Sequence, residues 1–165
     1  MKKLLALFCM MTLLSLPAAL AEGSYTARCG GTAVLTVRYD DSAFSLDRDS
    51  YLSSSRGGHT WLGMFYNGSY TVELAADRYA DLPADCGTDQ LSAYLCALLG
   101  GSVVETYSAD LPFVILSASG PFGPTYYAAA MNQGYAVHFE IYSYQGGTGP
   151  DALNVLKSLL NGVSR

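Results

Sequence analysis

The chain is 165 residues long, half of them hydrophobic and thirteen of them tyrosine, with nine Lys+Arg against fourteen Asp+Glu. A net charge of −5 without a basic cluster argues against nucleic acid or an anionic membrane as partner, because both require concentrated positive charge.

Residues 1–21 read as a secretory signal peptide. Lys2 and Lys3 make a positive start, Leu4 to Leu16 is an apolar run, and Ala19-Leu20-Ala21 supplies small residues for cleavage. The apolar run is too short for a comfortable membrane span. Cys9 follows Phe8, where a lipidated signal wants a small residue, so no lipid anchor is expected. Removing 21 of 165 residues leaves 144, one domain's worth, with no second long apolar segment. The expectation is a secreted, extracytoplasmic protein without a membrane span.

Residues 22–32 form a polar, glycine-ended lead expected to be flexible, and a single domain is expected over 33–165. Ala33 to Tyr39 alternates apolar and polar residues as a strand does, and Phe44-Ser45-Leu46 starts a short second strand. His59 to Ala75 reads as a hairpin turning at Asn67-Gly68. Pairing Tyr66 with Ser69 sets Phe65 against Tyr70 and Trp61 against Leu74, with the large apolar residues on one face. Asp77 to Gly87 reads as an acidic, solvated loop.

Thr88 can cap a helix over about Asp89 to Leu99, with Leu91, Tyr94, Leu95, Leu98 and Leu99 on its apolar side. Val103 to Tyr107 is a further short strand. Three more strands follow, FVILSAS, TYYAAAM and YAVHFEIYSY. A three-residue loop from Asn132 to Gly134 would pair Met131 with Tyr135. That register puts Ala129 with Val137, Tyr127 with Phe139 and Thr125 with Ile141 on an apolar core face. The opposite face carries Ala128 with His138 and Tyr126 with Glu140, continued by Tyr142 and Tyr144. A final helix starts near Pro150 or Asp151, with Leu153, Leu156, Leu160 and Val163 on one stripe.

These elements make an α+β domain, a mainly antiparallel β-sheet of six to eight strands flanked by two helices. Helix 89–99 is expected on one face and helix 151–161 on the other, with Ala128, Ala130 and Ala136 as a helix seat. Three cysteines follow the signal, Cys29, Cys86 and Cys96, so at most one bridge can form. Cys86 with Cys96 is the reachable pair, and three free thiols fit equally well.

The run FVILSASGPFGPTYYAAAMNQGYAVHFEIY followed by DALNVLKSLLNGV resembles the C-terminal half of the PsbP-like fold. Tyr39-Asp40-Asp41-Ser42-Ala43-Phe44-Ser45-Leu46-Asp47 is similar to the opening of such domains. The resemblance spans most of 33–161 and implies an α/β/α sandwich and a binding, assembly or accessory role. It places no catalytic residue, and this chain departs from the bacterial exported lipoproteins of that kind in lacking a lipidated cysteine.

The residues themselves support few sites. His138-x-Glu140 puts two metal-capable groups about 7 Å apart on one strand face, but a metal needs three or four ligands. Nothing in the sequence places His59, the other histidine, beside them, so His138, Glu140 and Tyr126 are read as partners on a sheet surface. There is no Gly-x-Ser-x-Gly, and no cysteine sits in a basic surround that lowers its pKa. Asp77, Asp81, Asp85 and Asp89 lack the alternation of a calcium loop.

The expected function is therefore a secreted, non-enzymatic binding or accessory module with no cofactor. Its surface face comprises Tyr126, His138, Glu140, Tyr142 and Tyr144, offered to a protein, peptide or glycan. The alternatives are a small hydrolase or metal-dependent enzyme around His138 and Glu140, and a cell-surface adhesive protein. A distance from His59 to His138 below about 6 Å in an open cleft favours the enzyme.

Overall fold

The computed structural model describes residues 22–49, 55–120, 123–143 and 148–165. The expected signal peptide and Tyr144 lie outside the described residues. In chain order the elements are β1 (Glu22–Cys29), β2 (Thr32–Asp40), β3 (Ser45–Asp47), β4 (Ser55–Arg56), β5 (His59–Asn67) and β6 (Tyr70–Asp77). Then come α1 (Thr88–Leu99), β7 (Ser102–Ser108), β8 (Pro112–Gly120), β9 (Gly123–Asn132), β10 (Tyr135–Tyr142), α2 (Pro150–Leu160) and β11 (Val163–Ser164).

Eight strands form one antiparallel sheet in the order β3-β5-β6-β10-β9-β8-β7, with β4 also paired to β5. A second sheet, β1-β2-β11, joins the start of the described chain to its end. The α+β architecture is as the hairpin and helix signals imply. Phe65, Val72, Leu74, Phe113, Val137, Phe139 and Ile141 form the larger core with Val34, Val37, Leu156, Leu159 and Leu160 of the small sheet and α2. Leu91 and Leu95 of α1 pack on the other face against Val114, Leu116, Tyr127, Ala129 and Ala136. The bulky side of the sheet is thus closed by the chain's last helix together with the small sheet.

Several local expectations are corrected. Residues 22–29 are no loose lead but a strand paired along β2. Asn132 pairs with Tyr135, leaving the two-residue loop Gln133-Gly134 with φ of 51° and 75°. Both residues take the left-handed region, as a type I′ turn requires, and its twist matches the strands better than the three-residue alternative. One residue of slip turns all of β9 over. Tyr127 and Ala129 therefore share the face of His138, while Tyr126, Ala128 and Ala130 lie on the α2 side.

The first hairpin is shifted as well. Asn67 pairs with Tyr70 around Gly68-Ser69, and the ladder slips between Trp61 and Gly63. Leu62 is the extra residue of this β-bulge. Without it, His59, Trp61, Gly63 and Phe65 would share one face. With it, His59 pairs with Asp77 and Trp61 with Ala75, on the side opposite Phe65. The expected grouping of Trp61 with Phe65 is overturned for that reason. Cys29, Cys86 and Cys96 are all free thiols, so the Cys86–Cys96 bridge does not form. Cys86 is buried beneath α1, and Cys96 packs half-buried beside that core.

Candidate functional site

The bulge at Leu62 and the corrected register of β9 bring five groups together at one end of the sheet. Asp77 is the last residue of β6, flanked by His59 on β5 and Ala136 on β10. His138 sits two pairs further along β10, opposite Ala75 and diagonal to Asp77. The His59 Nδ1 is 2.6 Å from one Asp77 oxygen, and the His138 Nε2 is 3.0 Å from the other. Tyr79, two residues beyond Asp77, donates its hydroxyl to the second oxygen at 2.7 Å. Tyr127 in turn hydrogen-bonds to Tyr79.

Aromatic rings fix the two imidazoles. Tyr127 stacks on His138 with centroids 4.5 Å apart, and Trp61 meets His59 edge-on at 4.2 Å. The imidazole centroids are 5.7 Å apart. His138 is only 3% exposed. Neither of its ring nitrogens has a hydrogen-bond partner among the described residues, and the Asp77 oxygen beside Nε2 lies off the line a hydrogen bond needs.

The electrostatics centre on Asp77. Burial pushes its pKa up, but the contact with His138, the Tyr79 hydroxyl and the His59 charge outweigh burial and hold it at about 2. Tyr79 is raised by burial and by Asp77, and Tyr127 is raised still more by burial, so both hydroxyls stay protonated donors. Further along the same face Glu73 and Glu140 are direct cross-strand partners. Burial raises both, and the Glu140 charge adds to the rise at Glu73, whose carboxylate accepts from Trp61 Nε1 at 2.8 Å.

No family model and no curated protein matches this chain.

The expected surface face is therefore rebuilt. His138 belongs to the site but is buried rather than displayed, because Ala129 and Tyr127 pack alongside it. Glu140 and Tyr142 share its face, half-buried. Tyr126 faces the larger core on the other side, and Tyr144 lies outside the described residues. Asp77, read from sequence as part of a solvated loop, is the hub of the cluster. His59 could not be placed before the bulge was known. The hairpin itself gave only an approximate signal: unbroken pairing from Asn67 and Tyr70 sets position 59 against position 78, and the bulge at Leu62 moves it to Asp77.

Beside the cluster a pocket of about 470 Å³ is lined by Asp77, Arg78, Tyr79, Leu82, Met131 and Ala136, among others. The Arg78 guanidinium lies over the Tyr135 ring, 4.3 Å from its centroid. Asp77 thus touches both the imidazole pair and an opening large enough for a small ligand. Chemically the cluster offers two imidazole nitrogens and a carboxylate in one place, which can hold a cation or share a proton. The thiols offer less, since burial raises both Cys29 and Cys86 away from the reactive thiolate.

Proposed function

We propose that this protein is an exported, non-enzymatic binding module that takes its ligand at the His59–Asp77–His138 end of the sheet. One observation carries the reading: buried His138 makes no aligned hydrogen bond at either ring nitrogen, its Nε2 having only an ion-pair contact with Asp77. Such a group costs about 1–3 kcal/mol, and a fold keeps it where a ligand supplies the missing contact. The adjacent pocket, lined by Asp77, would bring a ligand up to the cluster. The resemblance to PsbP-like domains, with their binding and accessory roles, points the same way, as does the signal-like 1–21 segment for export.

A second reading, a metal-dependent hydrolase, is favoured by the 5.7 Å separation of the imidazoles beside the pocket. Glu73 and Glu140, raised toward neutrality on the same face, would be its acid–base candidates. The adhesive reading needs one broad tyrosine face, which Tyr126 and Tyr142 on opposite sides of the sheet do not make.

A thermal-shift panel of divalent cations, small organic acids, sugars and short peptides tests the proposal on the purified chain. The expected result is at least one ligand that raises Tm in the wild type and not in H138A. A panel in which nothing discriminates the two overturns it. Turnover of ester, phosphoester or peptide substrates that is lost in E73Q or E140Q moves the assignment to the hydrolase.

A further inference from the structure

We propose that His59, Asp77 and His138 bind a divalent transition-metal ion of the zinc class. This rests on the binding-module reading and names its ligand. One ligand atom from each of the three side chains lies within 4.8 Å of the other two. Tetrahedral zinc with bonds near 2.0–2.1 Å spaces its ligands at about 3.3 Å. The His138 Nε2 and Asp77 oxygen, 3.0 Å apart, are already close to that edge. The His59 Nδ1 contact of 2.6 Å is to the other Asp77 oxygen, so one imidazole has to turn for both to reach an ion on a single oxygen, a rotation open to His59, whose side chain is one-quarter exposed.

The second observation is that neither His138 nitrogen makes an aligned hydrogen bond: Nε2 only touches Asp77 at ion-pair distance, and Nδ1 has no hydrogen-bond partner among the described residues. A lone pair aimed at a cation, rather than along a hydrogen bond to Asp77, explains why a buried imidazole sits at ion-pair distance yet out of line. The surroundings are those a metal site needs. Tyr79 donates to the Asp77 oxygen that faces His138, Tyr127 holds both Tyr79 and the plane of His138, and Trp61 braces His59. All three ligands lie on neighbouring strands of one sheet, which keeps their spacing rigid.

The donor set selects the ion. Two imidazoles and one carboxylate suit zinc and its neighbours in the late first row, while calcium and magnesium require six or more oxygens. Three protein ligands leave a fourth position for water or a small anionic ligand, and of the three it is Asp77 that also lines the neighbouring pocket.

The test uses the untagged full-length chain, stripped with chelator and titrated with zinc by calorimetry and with cobalt by visible absorption. The expected result is one zinc per chain, Kd at or below about 1 µM, and the d–d bands of a four-coordinate cobalt site. H59A and H138A should each weaken zinc by more than the 10–100-fold that loss of an outer partner causes, and Y79F by an amount within that range. Circular dichroism establishes that each variant is folded; H59A, at the more exposed ligand, decides the matter if H138A is not. Absence of stoichiometric zinc, or zinc binding unchanged in folded H59A, overturns the inference. If a metal-free ligand still stabilises the wild type through His138, the metal assignment alone fails and the binding-module reading stands.

Discussion

His59 lies directly across from Asp77 in the β5–β6 ladder, its Nδ1 2.6 Å from Oδ1, because Leu62 is one residue too many for β5. The same extra residue puts Leu62 itself into the larger core, where it is 5% exposed. A bulge that buries a leucine on one face while turning a histidine to the other couples the stability of the fold to the assembly of the site.

Asp77 makes the site pH-sensitive at its acid end. Its pKa lies at about 2 in the fold against an ordinary 3.8, so its stabilising contribution is complete above 3.8 and is lost as pH falls through 2. D77N should cost about 1–2 kcal/mol near neutral pH, allowing for partial solvation, and flatten the acid limb of stability. Urea denaturation of both proteins from about pH 7 down to pH 2 measures this. An unchanged acid limb means Asp77 is not the group holding the two histidines.

Glu73 has the opposite sign. Burial first, and the facing Glu140 second, raise its pKa above the ordinary 4.5. Folded protein therefore loses stability as pH climbs from the ordinary value through the raised one. E73Q keeps an acceptor for Trp61 Nε1 and removes one of two facing charges. It should be more stable than wild type by a few tenths to about 1 kcal/mol near pH 7, with the gain vanishing below pH 4. Thermal melts at the two pH values decide it.

Gln133 holds a left-handed φ of 51° beside Gly134 and is exposed. Q133N creates the Asn-Gly pair that type I′ turns favour, and should raise stability by roughly 0.5–1 kcal/mol, a Tm gain of about 1–4 °C. A loss of stability would mean that the turn is not the two-residue form.

Gly162 is needed for space rather than for its dihedrals. A Cβ there would lie 1.9 Å from the carbonyl oxygen of Arg38, whose N–H donates to the Gly162 oxygen at 2.9 Å. G162A should push β11 away from β2 and cost at least about 2 kcal/mol, visible as a lower denaturation midpoint. Amide exchange should rise at Val37 and Val163, which pair across that junction.

Much of the domain is legible in the residues because their periods are clear. The two-residue repeat of Val137, Phe139 and Ile141 and the helical stripe of Leu156 and Leu160 each announce one apolar face, and those faces meet in the structure. Asn-Gly and Gln-Gly mark the turns. What a turn signal leaves open is which residue pairs first, and a single position of slip inverts a strand. That ambiguity moved Tyr126 to the wrong face and hid Tyr127 from the site.

By itself the sequence determined the class of fold, the two helices and, the exposed Leu98 apart, which of their sides are buried, because hydrophobic period and turn chemistry are local properties of the chain. Only the tertiary structure decided that His59, Asp77 and His138 meet. Their meeting depends on a bulge and on strand order, with β10 seated between β6 and β9. Those are set by how the whole sheet packs between α1 on one side and α2 with the small sheet on the other, and no window of neighbouring residues carries that information.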